Sequence, residues 1–118
     1  MIEITIPGRG EMCLKHLVLD VNGTIALDGQ LIDGVIKRIA SIRTKLEVHL
    51  LTANTYGSIH RVEEYLNLKA DLLSKGGEAE QKALFVEQLG SQNVAAIGQG
   101  ANDALMLKKA SLGICVLS

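Results

Sequence analysis

Isoleucines at positions 2, 4 and 6 alternate with Glu3 and Thr5, the period of a strand with one face buried. Pro7-Gly8 and Gly10 then break the run. Within Leu14 to Val21, Leu17-Val18-Leu19 is continuously apolar and ends on Asp20, as a strand buried in a parallel sheet does. Asp28-Gly29 separates Ile25 and Leu27 from Leu31 and Ile32, which predicts a β-hairpin over about 24–32. Asp33 is placed to cap a helix running to about Thr44, with Val35, Ile36, Ile39 and Ile42 on one face. Leu46 to Leu51 predicts a second buried strand, ending at Thr52. Thr55 to Leu66 predicts a helix with Ile59, Val62, Tyr65 and Leu66 inward, and Ala70 to Leu73 a third strand. Glu78 to Leu89 reads as a helix stopped by Gly90, followed by a strand at Val94 to Ile97. A short helix over Asn102 to Lys109 and a last strand over Leu112 to Leu117 complete the pattern.

Strands alternating with helices define an α/β class with a mostly parallel sheet. The 118 residues make one domain, 1–118, and 47% apolar residues exclude intrinsic disorder. A formal net charge of −1 and 3% aromatics exclude a nucleic-acid surface. No apolar run reaches the ~18 residues of a membrane span. The first ten residues lack the basic-then-apolar order of a signal peptide. Cys13 and Cys115 are far apart without metal-type spacing and read as reduced thiols of a cytoplasmic protein. Cys115, in an apolar strand, reads as a small hydrophobe. His16, His49 and His60 have no mutual ligand spacing in the sequence. Because the chain ends in or just after a strand, it is expected either to be truncated there or to have that edge covered by a partner.

Ligands of open parallel sheets bind beyond the carboxyl ends of the strands. Those ends carry Asp20-Val21-Asn22-Gly23-Thr24, Thr52-Ala53-Asn54 and Gly98-Gln99-Gly100-Ala101-Asn102-Asp103. Asp20 has two readings there, a nucleophile or anionic ligand and a cap of the following turn. Thr52 can donate to a phosphate oxygen, cap the next helix, or do both. Glycines 98 and 100 suit close approach of backbone to a ligand, and Asp103 in the first turn of a helix complements its dipole whatever its function. The glycine loop is too late in the chain, and lacks the third glycine, for a dinucleotide fingerprint. Lys82, alone on a helix, is ordinarily a solvated residue; its claim rests on the other three segments.

In this order the segments resemble the haloacid-dehalogenase (HAD) superfamily, with Asp20 to Thr24 as its first motif, Thr52 its second, Lys82 its third and Gly98 to Asp103 its fourth. The resemblance runs from Leu17 to Leu117. More narrowly, Glu80-Gln81-Lys82-Ala83 and Gly100-Ala101-Asn102-Asp103-Ala104-Leu105 resemble the phosphorylation domain of P-type ATPases, and so the small soluble members like it. The resemblance implies a three-layer Rossmannoid domain with a hairpin flap at about 24–32 and no cap domain. It implies that Asp20 attacks phosphorus to form an aspartyl-phosphate, while Thr52 and Lys82 hold the phosphoryl oxygens. Mg²⁺ would be held by Asp20, the backbone carbonyl of Asn22, the residue at Gln99, and Asp103. Asn22, Gly23, Thr24, Ala53, Asn54 and Asn102 would line the phosphate or substrate. A small phosphorylated molecule or an acyl phosphate is the implied partner, with a second copy of the chain closing the open site.

Two positions depart from the family pattern. Asn22 stands where its phosphatases carry an acid–base Asp, and an amide cannot move the catalytic proton. Gln99 stands where the family usually has a metal-binding Asp, and offers Mg²⁺ only a neutral oxygen. The expected activity is therefore a slow Mg²⁺-dependent phosphohydrolase or phosphotransferase. The alternatives are a catalytically impaired phosphate-binding or regulatory module, and an accessory protein, for instance one partnering a transport ATPase.

Overall fold

A computed structural model describes residues 1–21, 24–27, 30–53, 58–99 and 103–116. Five parallel strands form the central sheet: β3 (His16–Asp20), β6 (Glu47–Thr52), β7 (Ala70–Leu72), β8 (Val94–Gly98) and β9 (Leu112–Cys115). Their order across the sheet is β7-β6-β3-β8-β9. Alternation along β3 sends Leu17 and Leu19 into one core cluster and Val18 into another on the opposite face. The first cluster packs against α1 (Val35–Ile42) and α2 (Ser58–Leu66) through Ile39, Ile59, Val62 and Leu66. The second packs against α3 (Glu78–Leu89) and α4 (Ala104–Lys109) through Val86 and Met106. Helices on both faces of a parallel sheet make three layers, as the motifs implied, and no cap domain is inserted. No helix among the described residues is long and apolar enough to cross a membrane.

The N-terminal segment departs from the expectation. The glycines after Ile6 do not end a strand before an unbroken run from Leu14; they turn the chain back. β1 (Ile2–Ile6) pairs antiparallel with β2 (Gly10–Leu14), with Ile2 opposite Leu14 and Ile6 opposite Gly10. Gly8 and Gly10 have φ of 84° and 83°, a left-handed conformation that glycine adopts without steric penalty. A 3₁₀ turn at Ser91–Asn93, also unforeseen, ties this hairpin to the sheet. The Asn93 side-chain amide donates to the Cys13 carbonyl at 2.7 Å, and Lys15 N–H donates to the Asn93 carbonyl at 2.8 Å. A second antiparallel ladder, β4 (Ala26–Leu27) with β5 (Gln30–Leu31), falls within 24–32; its Asp28-Gly29 turn lies outside the described residues.

Several local expectations are corrected. Asp33 does not cap α1: the helix begins at Val35 behind Gly34, whose φ is 85°, with no side-chain cap. The inward stripe of α1 is Val35, Ile39 and Ile42, and Ile36, about 100° round the helix from Val35, is exposed. Tyr65 lies on the flank of the Ile59–Val62–Leu66 stripe of α2 and is also exposed. Cys115 is an exposed thiol rather than a buried hydrophobe, because β9 is the edge of the sheet.

The chain runs outward from β3 through β6 to β7, then returns to build β8 and β9 on the other side. The order reverses beside β3, and the crevice of such a sheet opens there, beyond the carboxyl ends. Asp20 ends β3 and Gly98 ends β8.

Candidate active site

β3 delivers Asp20 to the crevice almost buried, 9% exposed. Its register partner on β6 is Leu51, so Thr52, 1% exposed, stands one step further out on the neighbouring strand. Lys82 lies on the buried face of α3, one turn before Val86. Its burial, 7% exposed, rules out the solvated reading. The ammonium Nζ donates to Asp20 Oδ1 at 3.1 Å and to Asp103 Oδ1 at 2.6 Å. Asp103 occupies the N-cap position of α4, yet its side chain makes no cap hydrogen bond there. Its Oδ2 instead accepts the Gln99 backbone N–H at 2.6 Å. Whatever it adds to the helix dipole, Asp103 thus bridges Lys82 and the Gln99 backbone at the end of β8. That bridge requires Gly98: a Cβ there would lie 2.6 Å from Asp103 Cβ.

Burial pushes the Asp20 carboxyl from 3.8 up to about 6, against the attraction of Lys82 and with the help of the neighbouring Asp103 carboxyl. Burial alone would lower the Lys82 pKa, but its hydrogen bond to Asp103 and the charge of Asp20 hold it above the ordinary lysine value. Lys82 is therefore a permanent ammonium between two carboxyls.

The raised Asp20 pKa makes a stability prediction. The ionised carboxylate is better solvated in the unfolded chain, so its share of stability is fully present below 3.8 and is lost as pH rises through about 6. Asp20→Asn removes that loss. It is expected to be more stable than wild type by about 1–3 kcal/mol at neutral pH, and no more stable below about pH 4. Urea unfolding midpoints of the two proteins across this range check it; an advantage that persists in acid would reject the assigned cause.

Other predicted site residues divide in two. Thr24 is buried, and its Oγ1 has no hydrogen-bond partner among the described residues, the state of a hydroxyl awaiting an acceptor. Exposed Ala53 lines an open cleft of ≈ 420 Å³ together with Gly77, Glu78, Ala79, Glu80 and Lys82. Asn22, Gly23, Asn54 and Asn102 lie outside the described residues. The donors brought together are oxygens, and two carboxyls crowd around a single ammonium. A hard divalent cation fits that donor set and would relieve the crowding. One grouping escaped sequence reasoning: despite their spacing in the chain, His16 and His49 have ring nitrogens 3.1 Å apart, with Glu47 beside them.

No protein-family model matches the chain. It is 41% identical over 39 residues to uncharacterized protein MJ0072 of Methanocaldococcus jannaschii, across 33% of this chain and 89% of that one. It is 43% identical over 54 residues to uncharacterized protein MJ0073 of the same organism, across 42% of this chain and 58% of that one, so it spans little more than half of that relative. Among solved structures it is similar to the cobalt-bound deoxy-D-mannose-octulosonate 8-phosphate phosphatase of Haemophilus influenzae. The TM-score is 0.69 at 16% identity, over 86% of this chain and 68% of that one. A protein of Streptomyces avermitilis described as an HAD-family hydrolase superposes with a TM-score of 0.67 at 16% identity, over 86% and 66% of the two chains. The three-layer fold is that of the HAD superfamily. By sequence, the chain belongs to the same family as MJ0072.

Proposed function

We propose that this chain is a slow, divalent-metal-dependent phosphohydrolase or phosphotransferase acting on a small phosphate ester or acyl phosphate through an aspartyl-phosphate on Asp20. The observation that carries the reading is the buried Asp20–Lys82–Asp103 bridge at the switch point of the sheet. A lone carboxylate at a strand tip can cap a turn; one held by a buried ammonium, itself anchored by a second carboxylate, is positioned for chemistry.

Lys82 holds Oδ1 of Asp20, so Oδ2 is the oxygen assigned to attack. It forms an O–P bond as the bond from phosphorus to the leaving oxygen breaks, and the electron pair departs with the leaving group. The Lys82 ammonium and the hydroxyls of Thr52 and Thr24 then meet the charge on the phosphoryl oxygens. Asp103 keeps Lys82 aimed. Asp20, the Asn22 carbonyl, Gln99 and Asp103 would hold Mg²⁺, which when bound neutralises phosphoryl charge. The cleft beside Ala53 is open, which suits a small substrate or a second subunit as a lid. A fold shared with a phosphatase of a sugar-acid phosphate supports the reading, and the motif order resembles that of the soluble P-type-ATPase-like members.

Intact mass after incubation with Mg²⁺ and acetyl phosphate tests it. One added phosphoryl group per chain is expected, and none on Asp20→Ala. No adduct together with no phosphate release overturns the proposal and leaves a phosphate-binding or accessory role, the reading that Asn22 and Gln99 favour.

A further inference from the structure

At the other end of the same two strands lies a second cluster, which the phosphoryl chemistry does not use. His16 opens β3 and is the register partner of Glu47, which opens β6; His49 is two residues further along β6. The alternation of strands puts all three side chains on one face of the sheet. That face is the one covered by α3, whose Phe85 meets the His49 ring edge-on at 5.5 Å between centroids. His16 Nδ1 lies 3.1 Å from His49 Nε2 and 3.6 Å from Glu47 Oε2. One ligand atom from each residue falls within 4.8 Å of the other two. The two histidines are half-buried and Glu47 is exposed, so the cluster is open to solvent on one side.

We propose that His16, Glu47 and His49 form a binding site for a divalent transition metal of the Zn²⁺ class, separate from the catalytic carboxylates. Bonds of ~2.0–2.1 Å in a tetrahedral zinc site place neighbouring donors about 3.3 Å apart. The separations of 3.1 and 3.6 Å bracket that spacing before any adjustment. Two imidazoles and one carboxylate fill three positions, and the solvent-facing side leaves the fourth to water. The imidazole donors select zinc-like ions over Mg²⁺ or Ca²⁺, which take oxygen ligands. Without metal, the paired ring nitrogens share one proton in a hydrogen bond. When the metal binds, that proton moves through solvent to the far nitrogen of the ring that carried it, so both facing nitrogens offer lone pairs and each ring keeps one N–H. Four steps of extended strand take His16 to Asp20, roughly 13 Å, so no ion serves both sites. The inference stands whether or not Asp20 is a nucleophile. A bound ion would clip β3 to β6 and stabilise the fold by mass action.

The remaining histidine, His60, lies on α2 and pairs only with Glu63 among the groups described for it, at 3.2 Å, which makes it an internal control. Zn²⁺ titrated into the full chain against a chromophoric chelator is expected to show one tight equivalent. His16→Ala and His49→Gln should lose it, and Asp20→Asn should keep it. Should the histidine variants fail to fold, ring NMR signals of the wild type read the same site: His16 and His49 should shift with one equivalent of Zn²⁺, and His60 should not. Absence of a tight equivalent, its survival in His49→Gln, its loss in Asp20→Asn, or unshifted His16 and His49 rings would each overturn the proposal.

Discussion

Replacing Lys82 by Met is expected to destabilise the protein by about 3–5 kcal/mol at neutral pH, the usual effect of leaving a buried charge uncompensated. Lys82, Asp20 and Asp103 are all within 9% of full burial, so little solvent screens the change. Met fills similar volume, and the loss is therefore electrostatic rather than a cavity. With the ammonium gone, Asp20 and Asp103 face each other without a countercharge, although the Gln99 N–H still bonds Asp103, and the Asp20 carboxyl moves still further above about 6. For a domain of this size the deficit corresponds to a fall in Tm of roughly 10–20 °C.

Two further measurements separate this account from a packing defect. First, the deficit should shrink in acid. A carboxyl with a raised folded pKa contributes stability that is present below its unfolded value and lost as pH rises through the folded one. Protonating Asp20 also lets the two carboxyls share a proton, so the gap between variant and wild type should close substantially towards pH 4. Second, Lys82→Met combined with Asp20→Asn should be more stable than Lys82→Met alone, because the double change removes one orphaned charge. A packing defect predicts a pH-independent gap and no rescue. The same single variant should abolish labelling by acetyl phosphate, since nothing else among the described residues brings a positive charge onto Asp20.

The candidate bridge was legible before the structure because the segments at the strand tips are short, polar and arranged in a fixed order along the chain. Asp20 and Thr52 each end an apolar run and Asp103 lies in the loop that follows a third, and a parallel sheet gathers such ends on one edge. Lys82 was legible only by association: the helical pattern of Glu78–Leu89 does not say that one lysine is buried. Other features depend on pairing, which local patterns do not encode. The β2 strand was hidden because Gly8 and Gly10 are breakers by composition and a hairpin turn only in context, although Met12 and Leu14 continue the alternation of Ile2, Ile4 and Ile6. The His16–Glu47–His49 cluster needs the β3–β6 register, and residues 31 and 33 positions apart show no spacing signal. Aligning the two strands by their tips would have exposed it, since Asp20 lies opposite Leu51 and the same face then carries His16 and His49. Gly34 displaced Asp33 at the start of α1 because a left-handed entry needs glycine, a geometric requirement that capping statistics do not anticipate.

Combining Asn22→Asp with Gln99→Asp is expected to raise steady-state phosphate release about 10²–10⁴-fold, the range of general acid–base help. Each change repairs a different step. An Asp two residues past the nucleophile can protonate a departing alkoxide and then deprotonate the water that attacks the aspartyl-phosphate; the Asn22 amide does neither. Acyl phosphates leave as stable carboxylates and need no proton, whereas alkyl phosphate esters leave as strong bases and do. Wild type is therefore expected to label from acetyl phosphate and hardly at all from an alkyl ester. Asn22→Asp should help the ester more than the acyl phosphate, and should drain the phosphoenzyme that the wild type is expected to accumulate. Gln99→Asp acts on the cation instead. The Gln99 backbone N–H that anchors Asp103 survives the change, while a new carboxylate supplies the hard ligand Mg²⁺ prefers. Its signature is a lower Mg²⁺ concentration for half-maximal activity. Without Mg²⁺, two further carboxylates near Asp20 and Asp103 add only repulsion, so the double variant should be less stable than wild type in chelator and regain that loss when Mg²⁺ is returned. Unchanged turnover in a folded double variant, with either substrate and at any Mg²⁺ concentration, would mean that the pocket itself is not catalytic, because both missing acids would then be present around an intact Asp20–Lys82–Asp103 bridge.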